Sequence, residues 1–190
     1  LLLQAPNIKL LGVGAIDADG YIDPSVEACR KMTDLFNLRG DQLAVARSNS
    51  RAVNQFPHEW RMATYSFNYL PMLNEKGHID TKQAELPAHL DMVEKIKHAQ
   101  EPVTLVMTGP LTDLARALDA DPEIEKNIKM LYWMGGSLDG HGNVAMINAD
   151  GSQEWNAFWD PYAVKRVFDS NIKIQMVGLE STEELPLNDE

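Results

Sequence analysis

Short apolar runs rich in β-branched residues alternate along the chain with segments whose apolar residues recur at helical spacing. The apolar runs span residues 8–16, 42–46, 103–107, 128–133 and 172–177. Two of the intervening helices are expected to begin near a proline, at Pro24 and Pro161, because proline is favoured in the first helical turn. This alternation predicts an α/β fold, with an open and mostly parallel sheet flanked by helices.

The length and composition suit an ordinary globular domain. The chain has 190 residues, of which 44% are hydrophobic and 24% charged, and this is enough for one soluble domain with a sizeable core. We therefore predict a single α/β domain over residues 1–190. Leu1-Leu2-Leu3 resembles the last turn of a helix, and residues 185–190 supply no closing element, so the domain is expected to be incomplete at both ends.

The charge and the cysteine content restrict the partners. A net charge of −11 repels phosphate backbones, which argues against nucleic acid and favours a neutral or cationic small substrate or a bound metal cation. Cys29 is the only cysteine, so an internal disulfide is excluded and a reducing, cytoplasmic location is expected. No apolar run approaches the roughly 20 residues of a membrane span, so no membrane partner is expected. We further expect a homo-oligomer.

The segment 47–86 interrupts the alternation because it is long, polar and aromatic. Compact domains rarely keep so long a stretch irregular unless it serves as a lid or an insertion. We predict an irregular insertion or lid, within which residues 60–70 could form a short helix. A surface excursion held to the core by its aromatic side chains is an equally good interpretation.

Polar residues follow several of the predicted strands at the point where each strand ends. These are Asp17 and Asp19; Thr108 with Gly109-Pro110; Met134 with Gly135-Gly136; and the loop that carries Asn143, Glu154 and Asn156. Ligands of open α/β sheets bind at the carboxyl ends of the strands, so we expect these groups to gather at one edge.

Glu154 and Asn156 are the most informative pair in that set. On an extended backbone, residues two apart point to the same side, and Trp155 would point to the other. A carboxylate beside an amide can hold vicinal hydroxyls, because one group accepts hydrogen bonds and the other both donates and accepts them. We predict a sugar site that holds a ribose. The alternative is a polar loop whose asparagines occupy turn positions.

Three motifs resemble one known family. "VTLVMTGPLTDLARA" at residues 103–117, "MGGSLDGHGNV" at 134–144 and "EWNAFWDPYAVKRVF" at 154–168 look like signatures of the inosine-uridine preferring nucleoside hydrolases, in the same order. The resemblance is specific over residues 103–177 and weak over 47–86. It implies a Rossmann-like core and hydrolysis of the N-glycosidic bond of ribonucleosides.

The resemblance also implies roles for individual residues. Asn143, Glu154 and Asn156 match residues that bind ribose hydroxyls, and Met134 matches a methionine that packs under the sugar. The backbone carbonyl of Thr108 matches a ligand of Ca²⁺, which several aspartates also hold. The implied reaction passes through an oxocarbenium-like transition state that is attacked by a Ca²⁺-bound water.

The sequence also departs from the family pattern. The aspartate-rich opening, the distal aspartate and the leaving-group histidine of the family have no match here, so no catalytic residue is assigned within the chain, with Asp19 as a weak candidate for contacting metal or ribose. A solvated turn is the alternative for Asp19. A non-catalytic ribose-binding or nucleoside-binding module that has lost the metal site is the alternative function. A generic nucleotide-binding domain is disfavoured because G-x-G-x-x-G and P-loop motifs are absent.

Overall fold

A computed structural model describes residues 2–36 and 43–184 of the chain. The chain divides into two compact units, each considered by itself below. The first unit comprises Leu1–Arg51 and Phe56–Lys95, and the second comprises Ala52–Gln55 and Ile96–Glu190. A single domain over residues 1–190 stays a prediction.

The first unit contains a three-stranded parallel sheet in the order β1-β2-β3. Its elements are β1 (Val13–Ala15), α1 (Ile22–Phe36), β2 (Ala44–Arg47), α2 (His58–Asn68), a 3-10 turn (Pro71–Leu73) and β3 (Lys82–Gln83). Helix α3 (Ala88–His98) begins in this unit and continues into the second. The small core is a cluster of Ala15, Val26 and Val45, with partly buried Val13, Ile22 and Cys29 packed against it.

The second unit contains another three-stranded parallel sheet, in the order β4-β5-β6. Its elements are β4 (Val103–Met107), α4 (Thr112–Ala120), a 3-10 helix (Pro122–Asn127), β5 (Ile128–Met134), α5 (Trp155–Trp159), α6 (Pro161–Phe168), β6 (Ile174–Val177) and α7 (Leu179–Glu183). Among its fully buried side chains are Leu111, Leu114, Leu118, Leu131, Trp159 and Val167.

The start of helix α6 shows how local chemistry sets an element boundary. Pro161 occupies the first turn, and the Asp160 side chain accepts a hydrogen bond from the amide of Ala163 at 3.0 Å. The hydroxyl of Thr112, at the start of α4, donates to the other oxygen of Asp160 at 2.8 Å. The cap therefore also joins two helices of the second unit.

The predicted α/β class, with parallel strands flanked by helices, is confirmed, and the strands of the described residues fall into two sheets. β1 is shorter than the predicted residues 8–16, because only Val13–Ala15 pair with β2. The segment 47–86 is not irregular throughout, since it contains α2 and β3. Its role as a lid stays a prediction. Among the residues that the structure describes, no helix is long and apolar enough to span a bilayer.

Candidate active site

The second sheet brings three strand ends to one edge. Met107 of β4 is in register with Trp133 of β5, and Met134 of β5 is in register with Val177 of β6. Because the strands are parallel, the residues that follow them emerge on the same side. The strand-end residues Thr108 and Gly135 therefore lie at the edge where α/β sheets bind ligands.

Glu154 lies at this edge, with its carboxylate held by backbone amides. One oxygen accepts from the amide of Asn156 at 2.9 Å, and the other accepts from Ala157 at 3.0 Å and Gly136 at 2.8 Å. The residue is only 3% exposed. Glu154 thus caps helix α5 and at the same time ties that helix to the end of β5.

Asn156 is held against the same strand ends by its side-chain nitrogen. Its Nδ2 donates to the carbonyl of Met134 at 3.1 Å, and it also lies 3.3 Å from the Met134 sulfur and 3.4 Å from the carbonyl of Thr108. Asn156 is buried. These bonds fix the amide plane, so the Oδ1 atom points away from the acceptors that Nδ2 uses.

Asn143, in the loop that precedes Glu154, lies at the same edge of the sheet. Its side-chain oxygen Oδ1 accepts from the backbone amide of Trp155 at 3.0 Å, and its backbone amide donates to the carbonyl of Gln153 at 2.9 Å. The structure therefore joins Thr108, Met134, Asn143, Glu154 and Asn156 into one cluster through direct bonds and shared neighbours. Whether these residues bind a substrate stays a prediction.

The extended backbone predicted at residues 154–156 is wrong. Glu154 itself is extended, with φ −97° and ψ 142°, but Trp155 and Asn156 already belong to helix α5. The two polar side chains meet because one caps the helix that carries the other. Trp155 and Trp159 are both buried, at 4% and 0% exposed, so they pack in the core of the second unit.

Two glycines are required by the geometry around this cluster. Gly136, whose amide binds Glu154, has a φ of 75°, which favours glycine. A Cβ atom at Gly142 would lie 2.0 Å from the carbonyl oxygen of Gln153, so only glycine fits beside that backbone. The loop can therefore fold back closely enough for Asn143 to reach helix α5.

The loop between β5 and Asn143 contains acidic groups that the sequence analysis did not single out. Glu180, in the first turn of α7, accepts three hydrogen bonds from Ser137, Leu138 and Asp139. The amide and the side chain of His141 and the Ser137 hydroxyl hold the pKa of Asp139 well below its usual range. Glu180 follows the end of β6, so the rule that selected the other strand ends would also have selected it.

Asp19 belongs to the first unit, where it is exposed. It lines an open depression of about 640 Å³ with Glu59, Trp60, Ala63, Thr64 and Phe67. The neighbouring Asp17 instead accepts from the amide of Ile22 at 3.1 Å and pairs with Arg61 at 2.7 Å. The role of Asp19 stays a prediction.

The described residues do not by themselves form a metal site. No group of three or more histidine, cysteine, aspartate or glutamate side chains among them could hold an ion. The Thr108 carbonyl is an oxygen of the kind that Ca²⁺ binds, but Ca²⁺ takes about six to eight such ligands. Further ligands would have to come from other residues.

Parallel strands with a polar cluster at their carboxyl ends define the class of α/β proteins, which bind ligands at such edges. A family model described as inosine-uridine preferring nucleoside hydrolase matches residues 1–190. A solved inosine-uridine preferring nucleoside hydrolase from Bacillus anthracis is 48% identical, with a TM-score of 0.95, over 98% of this chain and 61% of that one. This chain therefore belongs to the inosine-uridine preferring nucleoside hydrolase family.

Curated relatives are matched over shorter segments. The pyrimidine-specific ribonucleoside hydrolase RihA of Shewanella woodyi is 43% identical over 99 residues, which is 52% of this chain and 30% of that protein. The non-specific ribonucleoside hydrolase RihC of Escherichia fergusonii is 43% identical over 101 residues, which is 53% of this chain and 31% of that protein. The aligned segments thus span about a third of these relatives.

Proposed function

We propose that the full-length protein carrying this chain hydrolyses the N-glycosidic bond of ribonucleosides to ribose and free base. Family membership supports the reaction class. The observation that carries the proposal is the pairing of Glu154 with Asn156, two buried polar residues fixed at a strand-end edge by their own hydrogen bonds. Such a preorganised pair suits a ligand rich in hydroxyls.

The carboxylate of Glu154 has room for one substrate hydroxyl. A carboxylate offers about four lone-pair positions, and the amides of Gly136, Asn156 and Ala157 use three of them. The remaining position can accept a hydrogen bond from ribose. The same negative charge would stabilise the positive charge that develops on the sugar as the base leaves.

The side-chain amides of Asn156 and Asn143 would make the other hydrogen bonds to the ribose. Because Nδ2 of Asn156 is engaged by the protein, its Oδ1 is the atom that would accept from a second hydroxyl. In Asn143 the Oδ1 is engaged by Trp155, so its Nδ2 would donate to a sugar oxygen. Met134, whose sulfur lies beside Asn156, would pack under the sugar ring.

The role of Glu154 is tested by Glu154→Gln in the full-length protein. The amide lacks the negative charge and can accept at only one atom, so we expect the rate of ribose release from a ribonucleoside to fall about 10²-fold to 10³-fold. Glu183→Gln makes the same change at an exposed position of α7 and should leave the rate unchanged. Wild-type turnover by a folded Glu154→Gln protein would refute the assignment.

We also propose Ca²⁺ as the cofactor, with the Thr108 carbonyl as one ligand; this rests on the family resemblance, and no reaction step is assigned to the ion. Dialysis of the full-length protein against a chelator should abolish ribose release, and added Ca²⁺ should restore it. The measurement is ribose release before and after dialysis, with a protein dialysed without chelator as the control. Undiminished activity after chelation would count against the metal.

A ribose-binding module without catalysis is the second candidate, because Glu154 and Asn156 are held by protein hydrogen bonds alone and could bind sugar hydroxyls without a catalytic step. It predicts saturable nucleoside binding without ribose release in the full-length protein. The homo-oligomer, the cytoplasmic location and the lack of nucleic-acid binding remain predictions.

A further inference from the structure

The segment between the end of β5 and Asn143 has little apolar burial to hold it in place. Leu138 is 83% exposed, and Asp139, Gly140 and His141 are also exposed. A loop of this kind is ordered by its hydrogen bonds, since few buried contacts oppose its conformational entropy. The groups that accept those bonds therefore determine where the loop lies.

One carboxylate oxygen accepts the bonds that hold the start of this loop. Oε1 of Glu180 accepts from the Ser137 hydroxyl at 2.9 Å, from the Leu138 amide at 2.6 Å and from the Asp139 amide at 3.1 Å. The pKa of Glu180 lies below its ordinary value, chiefly because of the bond from the Asp139 amide. Bonds to a charged acceptor are stronger than those to a neutral one.

Further hydrogen bonds hold the loop between Glu180 and Asn143, in two groups. Asp139 accepts from the His141 amide at 2.8 Å, and it shares the single proton of the Ser137 hydroxyl with Glu180 at 2.9 Å. The next amide, that of Gly142, donates to the carbonyl of Gly151 at 2.6 Å. The bonds to Glu180 and Asp139 thus hold residues 137–141, and those to Gly151 and Gln153 hold residues 142–143. Gly140 turns the chain with a φ of 81°.

Glu180 is itself held at the same sheet edge as the candidate site. The amide of Leu179, beside Glu180, donates to the carbonyl of Gly136 at 3.1 Å. The amide of Gly136 donates to Glu154 at 2.8 Å. Two carboxylates therefore hold adjacent parts of one loop, with Glu154 binding Gly136 and Glu180 binding the next three residues.

We infer that Glu180 is a positioning residue whose carboxylate fixes residues 137–139 and so places Asn143 beside Glu154 and Asn156. The inference rests on the proposed function for its catalytic consequence. Asn143 would contact the sugar both in the bound substrate and in the transition state. Loss of its placement should therefore raise KM more than it lowers kcat.

The test compares three variants of the full-length protein. Glu180→Ala removes the acceptor. Gly178→Ala keeps it but displaces it, since a Cβ there would lie 2.5 Å from the second oxygen of Glu180, while the φ of −77° suits alanine. Glu183→Ala removes a carboxylate from the same helix at an exposed position and serves as the matched control.

Hydrogen exchange at the amides of Leu138 and Asp139 is the first measurement, and KM and kcat for a ribonucleoside are the second. We expect Glu180→Ala to speed exchange at both amides about tenfold and to raise KM about tenfold, with kcat changed less. Gly178→Ala should shift both quantities in the same direction, and Glu183→Ala should shift neither.

The two measurements separate failure of this inference from failure of the proposed function. Unchanged exchange in a folded Glu180→Ala protein would show that Glu180 does not hold the loop, whether or not the protein hydrolyses nucleosides. Faster exchange with an unchanged KM would overturn the link to Asn143. If the wild-type protein releases no ribose, the exchange result still decides whether Glu180 holds the loop.

Discussion

The polar corner around Glu154 in the second unit and helix α2 in the first unit are stabilised in opposite ways. In the corner, Glu154 and Asn156 are buried and make several bonds each, beside fully buried Trp159. Helix α2 instead exposes its large side chains, with Trp60 at 47% and Phe67 at 44%, and Asn68 is its one buried residue. The residues around Glu154 rely on burial, whereas α2 relies on polar contacts, through the Arg61–Asp17 pair and at its C-terminal end.

The polar end of α2 is held by a buried lysine of α1. The ammonium of Lys31, which is 8% exposed, donates to the carbonyl of Asn68 at 3.2 Å, to its side-chain oxygen at 3.1 Å and to the side-chain oxygen of Asn74 at 2.8 Å. It also pairs with Glu27 at 2.6 Å. A single cation thus joins α1 to the end of α2 and to the turn that follows.

The largest expected effect comes from Trp159→Ala in the second unit. The ring is fully buried and its nitrogen donates to Gln55 at 3.0 Å, so the substitution leaves a large cavity and removes that hydrogen bond. We expect the free energy of unfolding, measured in urea, to fall by about 3–5 kcal/mol. The matched control is Trp60→Ala in α2, which should cost less than about 1 kcal/mol. Equal losses of unfolding free energy would show that the two regions depend on burial to the same extent.

A smaller effect is expected from Lys31→Met in the first unit. Methionine keeps the apolar stem but removes the ammonium that the side-chain oxygens of Asn68 and Asn74 accept from, so the free energy of unfolding should fall by about 2 kcal/mol. Lys126→Met, which removes an exposed ion pair with Glu123, should cost less than about 0.5 kcal/mol in the same urea experiment. If the two lysines cost the same, α2 does not depend on its polar end.

Much of the fold follows from local patterns in the sequence. The strand Val103–Met107 matches its predicted range. Helix α6 begins at Pro161, as predicted from the preference of proline for the first helical turn, and Asp160 caps it. Residues 8–12 are mostly apolar, but they lie outside β1, because a strand is defined by its pairing with a partner remote in sequence, and β1 pairs with β2 over Val13–Ala15. In α1, apolar residues recur at helical spacing, and Val26 and Cys29 among them pack in the small core. Met32 and Leu35 at the same spacing are exposed, whereas Lys31 is buried, so the spacing identified only part of the buried face.

The site shows the same division between local and long-range information. The structure brings together Thr108, Met134, Glu154 and Asn156, as expected of residues that follow parallel strands. Asp17 and Asp19, which were expected at the same edge, belong to the first unit. The five-residue helix α5 is too short for an apolar period, so the sequence did not predict that Glu154 caps it. The bond from Gly136 to Glu154 spans 18 residues and has no local signature.

The close backbone contact at Gly142 separates the loop beyond it from the site. The amides of Gly142, Asn143 and Val144 all bond to residues 151–153, and Val144 is buried beneath them. Residues 145–150 form the tip of the loop beyond these hydrogen bonds, and Ile147 in this tip is fully exposed. Length and composition can therefore vary in residues 145–150 without moving Asn143, which makes this tip a suitable place to insert a peptide tag or a spectroscopic label.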